Sequence, residues 1–564
     1  MKPKLNNERG YTLLLVLLLA VLLGAFATML MFMTTNGMKK DDVREDVTQA
    51  TELTEKGLDR VVEEIQFDLK KELGTEGLTV NAFSGKLENV LNEYRCNGGA
   101  KIFTDTGKTG KYSSCVETVR PGTDGNEISR IVTFLSKGTA DNTERSIRSD
   151  MEVGANAVPE GLRYAIGTNK VCDKGGFNCE GGNLFLHGGV AIIGDMKVDG
   201  NLITANSGYA YLGGERWIPS IYPSADPGPE ATKSRLVLGG NVYILKKDPS
   251  SYAGHIASSI FTTSTYQAVN VSSAFSKSPL LIEREPKRET IDITGQQKTY
   301  QFSKNNSTKS SSSNLSNANY SNDKLFLSKS LEMSGTNIFN QVSTDYSLDI
   351  VKGTTTIQKG LYVGGDLVIG NDAIRSNEYN PSNYNKVELD GPIYVNGNLT
   401  IKGADAKLNS LIYVNGTVTI QNTRINGLNK NGKTGSLIVF ANKEVKISNN
   451  SVNENTPSDI RGYFYSNSNF EMFGVGSNMK INGGISAKRI VLNAIRGRAQ
   501  NTSFTNSYKV TSTDYFEGVA EQMKRDSRLQ VVYNPEIINT YSDLKQKEPI
   551  IYEVDKPILK ERRK

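Results

Sequence analysis

The sequence predicts a mainly β protein with an N-terminal α-helix. A transmembrane helix continues into a soluble helix, and a small α+β region and a parallel β-helix (a solenoid) with a C-terminal helical cap follow. Three observations predict this fold class. Residues 11–33 form one apolar run. Only 37% of all residues are hydrophobic, while 53 are glycine. One short sequence motif recurs along the rest of the chain.

The apolar run, Tyr11 to Met33, contains no charged residue, and the next charge is that of Lys39. A helix of this length, at about 1.5 Å per residue, crosses a hydrocarbon layer of about 30 Å. Three of the four charged residues before the run are basic, whereas acids offset the basic residues after it. The positive-inside rule therefore predicts a single-pass protein of the cell membrane, with a cytoplasmic N-terminus and an extracellular C-terminal region.

Two other interpretations of this run stay open. A cleaved secretory signal would use the small-residue site Ala25–Phe26–Ala27, so that the mature chain would start at Thr28. Against this interpretation, the apolar run continues to Met33, as it does in a membrane anchor. A plain signal anchor without a role in any filament fits the same residues.

The residues just before the run carry a family resemblance. Glu8, Arg9 and Gly10 are followed at once by Tyr11 and the apolar run. This leader resembles that of a type IV prepilin, and the first sixty to seventy residues resemble the N-terminal module of PilX-like minor pilins. The resemblance implies that a prepilin peptidase cuts between Gly10 and Tyr11, that the new N-terminus is methylated, and that the helix packs among other pilin-like subunits.

One position departs from the pattern of the major pilins. Those proteins carry a glutamate five residues into the mature chain, whereas Leu15 occupies that position here. PilX-like minor components often lack this glutamate. The departure therefore favours an accessory subunit over the main filament subunit.

After the span, the pattern predicts that residues 34–73 extend the helix into water. Apolar residues recur there at spacings of three and four: Val43, Val47, Ala50, Leu58, Val61, Ile65 and Leu69. Gly57 weakens such a helix by about 1 kcal/mol relative to alanine. Three β-rich segments follow, at 116–119, 128–135 and 147–153, and a turn rich in glycine separates the first two. A long helix before a short antiparallel sheet is the order expected of a pilin-like head.

From residue 161 onward, one sequence motif recurs. It consists of apolar residues, a glycine, a small polar residue and then alternating apolar residues. Its clearest neighbouring copies contain Gly397 and Gly416, nineteen positions apart, which is about one coil of a β-solenoid. The recurrent Asn396, Asn398 and Asn415 predict a ladder of side chains along one corner. An antiparallel sandwich, which also has short alternating strands, is the alternative fold.

These patterns divide the chain into successive regions. We predict a leader (1–10), a transmembrane helix (11–33), its amphipathic extension (34–73), a small α+β pilin-like region (74–160), a first solenoid part (161–300), a Ser/Asn-rich linker or loop (301–325), a second solenoid part (326–505), and a C-terminal cap helix, strand and polar tail (506–564).

The four cysteines form two local pairs, Cys96 with Cys115 and Cys172 with Cys179. An even number of cysteines in an exported chain predicts disulfides. Metal binding is the rival interpretation, but neither pair has the short spacing of a zinc knuckle. We therefore predict two disulfides and no bound metal.

No catalytic motif or cofactor-binding motif is apparent. Nucleophilic catalysis would need a histidine, and the chain has two, His187 and His255. His187 lies in no recognisable motif, so a structural or surface role is the expectation for it. Parallel β-helices include polysaccharide lyases and hydrolases, which use carboxylates on one face. Here the acids of the repeats are scattered among turns: Asp195, Asp199, Asp366 and Asp390.

These residues favour a non-enzymatic, membrane-anchored surface protein that resembles an accessory minor pilin. Its solenoid would make assembly or adhesion contacts, with surface glycans or extracellular proteins as further partners. The net charge of +6 is mild for 564 residues, and no nucleic-acid partner is expected. A cell-surface β-helix enzyme that acts on polysaccharide is the alternative.

Overall fold

The chain forms two compact units in a computed structural model, Met1–Ala157 with Glu548–Lys564, and Val158–Lys547. The structure describes the following residues: 9–73, 78–97, 103–107, 110–122, 128–141, 143–155, 160–169, 181–211, 215–228, 232–246, 266–282, 291–302, 305, 307–374, 380–430, 432–500, 508–509, 515–544, 550–551, 554–555, 557 and 558–563.

The first unit consists of two helices and an antiparallel sheet. Helix α1 spans Arg9–Leu73 and helix α2 spans Val80–Glu93. In spatial order the sheet strands are Phe103–Gly107, Gly110–Pro121, Ser129–Ala140, Thr143–Gly154 and Ile558–Arg563. A short strand pair joins Leu78–Thr79 to Ile550–Ile551. The three predicted strands are thus confirmed, whereas Phe103–Gly107 and the strand of the C-terminal tail, Ile558–Arg563, were not predicted.

The C-terminal half of α1 packs on this sheet along one face. Leu58, Val61, Ile65 and Leu69 are buried in one cluster with the apolar residues of the sheet and of α2. This confirms the helical spacing of the predicted set for its later members. Val43, its first member, is 56% exposed and lies before the part of the helix that is covered.

Gly57 lies where α1 comes closest to the sheet. A Cβ atom at this position would lie 2.6 Å from Ser114 Oγ and 2.8 Å from Ser136 Oγ, which is closer than such atoms approach. The two hydroxyl groups are 2.6 Å apart, and the Ser136 hydroxyl donates to the carbonyl oxygen of Thr54 on the helix. Gly57 therefore lowers helix propensity locally but permits the close packing that holds the unit together.

The second unit contains a parallel β-helix and, among the described residues, four short antiparallel additions. Its strands, in chain order, are Ile166–Thr168, Leu184–Gly188, Ala191–Ile193, Met196–Val198, Leu202–Ala205, Ser207–Tyr211, Glu215–Pro219, Ser224–Asp226, Arg235–Leu238, Val242–Leu245, Tyr266–Ala268, Leu280–Ile282, Thr308–Ser310, Asn314–Ser316, Asn319–Leu327, Leu331–Ser334, Thr336–Thr344, Leu348–Ile350, Gly353–Val363, Leu367–Gly370, Asn385–Asp390, Ile393–Val395, Leu399–Val414, Val418–Gly427, Asn429–Lys430, Lys433–Thr434, Leu437–Ala441, Val445–Ser448, Ser458–Gly474, Met479–Ala494, Ala499–Gln500, Tyr508–Lys509, Tyr515–Phe516 and Leu529–Tyr533. Its α-helices are short: α3 Gln297–Tyr300, α4 Val519–Gln522 and α5 Ile537–Leu544.

Three faces of stacked parallel strands form the β-helix. Face 1 stacks residues 308–310, 325–327, 342–344, 361–363, 393–395, 412–414, 437–441, 462–466, 483–487, 166–168, 196–198, 236–238 and 280–282. Face 2 stacks 314–316, 331–334, 348–350, 367–370, 399–402, 418–421, 445–448, 470–474, 490–494, 184–188, 202–205 and 242–245. Face 3 stacks 319–320, 336–339, 353–356, 387–390, 404–409, 423–427, 458–461, 479–483, 529–533, 191–193 and 224–226.

The order of the coils in space differs from their order in the sequence. Ile485–Ala487, near the end of the second repeat region, pair with Ile166–Thr168, the first strand of the first region. Leu529–Tyr533 complete the joining coil, with Met479–Gly483 on one side and Ala191–Ile193 on the other. The two regions are therefore one stack, in which the later region in sequence comes first in space. Parallel pairing throughout this stack excludes the antiparallel sandwich.

The prediction of a linker or loop at residues 301–325 is wrong for most of that segment. Thr308–Ser310 and Asn314–Ser316 are strands that pair with the next coil of faces 1 and 2. The segment is poor in apolar residues because it forms an end coil of the stack among the described residues. Polar end coils protect a solenoid from further strand pairing, and their composition resembles that of a linker.

The corner between faces 1 and 2 carries the predicted asparagine ladder. The side-chain amide of Asn415 donates to Asn396 Oδ1 at 3.3 Å, that of Asn442 to Asn415 Oδ1 at 3.0 Å, and that of Asn467 to Asn442 Oδ1 at 3.2 Å. Asn398 forms part of a second ladder, since its Oδ1 accepts from the backbone N–H of Thr417. The repeat thus satisfies the polar groups of one coil with those of the next.

Aliphatic side chains of all three faces fill one continuous core inside the β-helix. Outside face 1 a second cluster is built on an aromatic column, whose members are Tyr362, Tyr394, Tyr413, Phe440, Tyr463 and Tyr465. Ile537, Tyr541 and Leu544 of helix α5 are buried in this second cluster. Helix α5 therefore covers the flank of the stack, although it follows the strand Leu529–Tyr533. The helix predicted before that strand corresponds to the short helix α4, Val519–Gln522.

Candidate functional site

The first functional region is the N-terminal part of helix α1. Its large apolar side chains from Leu13 to Met33 are between 48% and 73% exposed. Among the described helices, α1 alone is long and apolar enough to cross a membrane. The hydroxyl groups of Thr28, Thr34 and Thr35 donate to carbonyl groups of the preceding turn, so these polar groups are satisfied within the helix itself. Such internal satisfaction is what a lipid environment requires.

The residues predicted to be processed lie at the start of this helix. Gly10 and Tyr11 belong to the first turn of the α1 backbone. This placement does not bear on cleavage by a peptidase, so the processing site stays a prediction.

The predicted disulfide between Cys96 and Cys115 is confirmed. It joins the end of α2 to the strand Gly110–Pro121, where the N–H of Cys96 also donates to the carbonyl oxygen of Val116 at 3.0 Å. The bridge therefore ties the second helix to the sheet. The other predicted pair, Cys172 and Cys179, lies outside the described residues.

The acids singled out from the sequence lie apart, and each has its own partner. The closest side-chain contacts are Asp195 with Arg235 (2.6 Å), Asp199 with the buried Lys197 (3.5 Å), Asp366 with the backbone N–H of Asn398 (2.7 Å), and Asp390 with Lys430 (2.6 Å). These contacts hold turns and corners in place. Among the described residues, no three acids, histidines or cysteines form a group that could hold a metal ion.

His187 is buried beneath the hairpin Ser207–Tyr211 and Glu215–Pro219. Its Nδ1 lies 2.9 Å from Asn493 Oδ1, and its ring centre lies 5.2 Å from that of Trp217. Burial lowers the pKa of His187 to about 4, so the imidazole is neutral at physiological pH. His255, the second histidine considered, lies outside the described residues.

Sequence reasoning missed a carboxyl group on the outer side of face 2, that of Glu471. Phe470 and Met472 point into the core, so Glu471 and Phe473 point outward on the same strand. Glu471 is only 4% exposed. Among the described residues no hydrogen bond or ion pair holds its carboxyl group, which is rare for a buried acid.

Charged residues of both neighbouring coils surround Glu471. Lys446 lies directly opposite it on the preceding coil, and Glu444 lies two positions before Lys446. Arg489 lies on the following coil, opposite Asn469. Burial, and next the negative charge of Glu444, raise the pKa of Glu471 to about 7, while Lys446 and Arg489 act in the opposite direction.

Glu471 and its neighbours therefore form a candidate site that can exchange a proton near neutral pH. Acids whose pKa is perturbed by burial and by a specific charged neighbour are concentrated at functional sites. Phe473 adds an apolar surface beside the carboxyl group, with Lys446 Nζ 5.4 Å from the centre of its ring. We refer to Glu444, Lys446, Glu471 and Phe473 as the face 2 site.

The likeness of the chain to known proteins is weak. No protein-family model and no curated protein matches the chain. Among solved structures, the chain is similar to the competence-associated pilin ComZ from Thermus thermophilus, with 12% identity over 92% of this chain and 97% of that chain. The TM-score is 0.23, so this likeness carries no argument about fold or function, although the neighbour is a pilin.

Proposed function

We propose that the chain is a membrane-anchored, non-enzymatic cell-surface protein that resembles an accessory minor pilin. The single observation that carries the proposal is the continuity of helix α1. The helix is exposed and apolar over its first half and packs on an antiparallel sheet over its second half, without a break between the two. A helix of this kind can hold a folded head at a membrane or among other helices.

The basic leader supports a cytoplasmic N-terminus, with both compact units outside the cell. The leader residues Gly10 and Tyr11 would be processed by a prepilin peptidase, followed by methylation. The apolar half of α1 would then pack among other pilin-like helices. The solenoid would provide a long exposed surface for assembly or adhesion contacts with surface glycans or extracellular proteins.

A deletion strain of the source organism tests this proposal. We expect weaker pilus assembly, pilus-dependent secretion or surface adhesion, and restoration of the lost activity by the wild-type chain. A Gly10→Leu variant, which keeps the apolar helix but blocks the predicted cut, should not restore it. Unchanged assembly, secretion and adhesion in the deletion strain would contradict the proposal.

Glu471 favours a second candidate function, that of a surface enzyme acting on polysaccharide. A carboxyl group that is protonated near neutral pH, beside a second carboxylate, is a known arrangement for general acid catalysis of glycoside cleavage. Pectin, alginate and cell-wall glycans are the substrates to screen. Turnover that the Glu471→Gln substitution abolishes would favour the enzyme over the display protein.

A further inference from the structure

One section of helix α1 lies between its apolar run and the part that packs on the sheet of the first unit. The run ends at Met33, and Ala50 is the first buried residue among the described side chains of this helix. Residues 34–45 are all exposed. The section carries seven charged residues, to which we refer together as the charged collar: Lys39, Lys40, Asp41, Asp42, Arg44, Glu45 and Asp46. Neither the membrane span nor the packing of the first unit accounts for them.

The collar has a basic side and an acidic side. Successive residues of an α-helix are about 100° apart around its axis. With this spacing the three basic residues, Lys39, Lys40 and Arg44, lie within one sector of about 140°. The four acids lie within a second sector of about 140°, on the opposite side of the helix. Opposite charges are thus separated around the axis at one height along it.

This separation does not stabilise the helix itself. Residues four positions apart are neighbours on a helix surface, and opposite charges there are stabilising, as in the ion pair of Arg60 with Glu64 at 2.7 Å. In the collar every charged pair at this spacing is like-charged and therefore destabilising: Lys40 with Arg44, Asp41 with Glu45, and Asp42 with Asp46. Within the described part of the chain, no collar residue forms an ion pair. The collar charges are therefore available to a partner outside the chain.

We propose that the charged collar binds a second copy of this chain, with the basic side of one helix against the acidic side of the next. The proposal rests on the proposed function, because it names a partner for α1 among pilin-like helices. Two copies that bury the same apolar run in one layer are parallel, and their collars lie at the same height. Opposite charges then meet across the contact, which selects for a helix with this charge pattern.

A second copy fits the collar better than an anionic lipid surface does. Lys39 is six positions after Met33, about 9 Å further along the helix, so the collar lies beyond the hydrocarbon layer and near the headgroups. An anionic layer would attract the three basic residues but repel the four acids at the same height. A second helix satisfies either side. Because the two sides point in opposite directions, one helix can bind a neighbour on each.

Sedimentation equilibrium of the full-length protein tests the proposal. The chains are synthesised cell-free in a neutral detergent, so that membrane insertion selects against no variant. We expect the wild type to self-associate, and to dissociate between about 0.05 and 0.5 M NaCl because ions screen exposed charges. Lys40→Glu with Arg44→Glu, and Asp41→Lys with Glu45→Lys, should each self-associate about tenfold more weakly or less. An equimolar mixture of the two variants should associate as tightly as the wild type, because each supplies the charge that the other has lost.

The matched control is Lys70→Glu with Lys71→Glu, because both lysines are exposed on the same helix outside the collar. It should associate as the wild type does. A monomeric wild type, an association that salt does not weaken, or a mixture no tighter than its components overturns the proposal.

Carbodiimide crosslinking, which joins amines to carboxylates in contact, locates the interface without any substitution. In a mixture of isotopically light and heavy wild-type chains, we expect links from Lys39 or Lys40 of one chain to collar acids of the other. Links between copies that all lie outside the collar would overturn the proposal. Because neither experiment needs a pilus, their failure leaves the proposed function to the deletion strain.

Discussion

The two compact units are stabilised in different ways. In the first unit, one helix lies on one sheet, and the closest approach depends on Gly57 and the two hydroxyl groups beneath it. In the solenoid, the aliphatic core and the asparagine ladder repeat from coil to coil. A repeated contact spreads stability over many positions, whereas a single close approach concentrates it at one. The units should therefore respond very differently to single substitutions.

The largest effect is expected at Gly57. In Gly57→Val the new side chain would overlap Ser114 Oγ and Ser136 Oγ, so the helix must move off the sheet at a cost of about 3 kcal/mol or more. Hydrogen exchange followed by mass spectrometry should show faster exchange in peptides of the first unit and unchanged exchange in the solenoid. Gly85→Val in helix α2 is the control, because nothing lies within 4 Å of its new Cβ atom. Equal exchange in the two variants would contradict the close-approach account.

Removal of the disulfide should again affect only the first unit. Replacing Cys96 and Cys115 together by alanine removes a constraint on the unfolded chain over a sequence separation of 19, at a cost of about 3 kcal/mol. Differential scanning calorimetry should show a lower transition temperature for that unit alone. A shift in the solenoid transition, or none at all, would be inconsistent with a bridge that acts locally.

In the solenoid, the stability contributed by Glu471 should depend on pH. Burial raises the pKa of Glu471 from 4.5 to about 7, so its protonated form is favoured in the folded state. The associated stability is complete below pH 4.5 and is lost as the pH rises through about 7, by up to about 3 kcal/mol. Denaturant unfolding of wild type and Glu471→Gln should agree at low pH and diverge above pH 7, with the variant more stable. Parallel pH profiles would show that the carboxyl group is not buried as described.

The smallest effect is expected in the ladder. Asn415→Ala removes one hydrogen bond to Asn396 and one from Asn442, for a loss of about 1–2 kcal/mol. The remaining coils should keep the stack folded. The exposed Asn426 on face 3 is a suitable control for alanine substitution, with an expected change near zero. A complete loss of folding in Asn415→Ala would mean that the repeats do not share the stability as we infer.

Features that depend on residues close together in the sequence could be predicted from it. The apolar run and the spacing of Leu58, Val61 and Ile65 predicted helix α1, because helical periodicity is visible in a short window. The repeated motif around Gly397 and Gly416 predicted parallel coils and the asparagine ladder at their corner, because the repeat is also visible in a short stretch of sequence. The pair Cys96 and Cys115 was close enough in sequence to suggest its own disulfide.

Features that depend on distant partners could not be predicted. Alternation along Phe470, Glu471 and Met472 shows that Glu471 points outward, but its burial depends on which coils lie beside it. The order of the coils depends on the pairing of Ile485–Ala487 with Ile166–Thr168, more than 300 positions apart in the sequence. The Ser/Asn-rich segment was misassigned because a polar end coil and a linker have the same composition.

The central claim is that a prepilin-type helix anchors the chain and presents the solenoid. Intact-mass measurement of the membrane-extracted wild-type protein, with sequencing of its N-terminus, tests this claim most directly. The account predicts a mature chain that begins at Tyr11, and a Gly10→Leu variant that retains its leader. A wild-type chain that begins at Met1 would indicate a plain anchor, and one that begins at Thr28 would indicate a secreted protein, so either result would contradict the account.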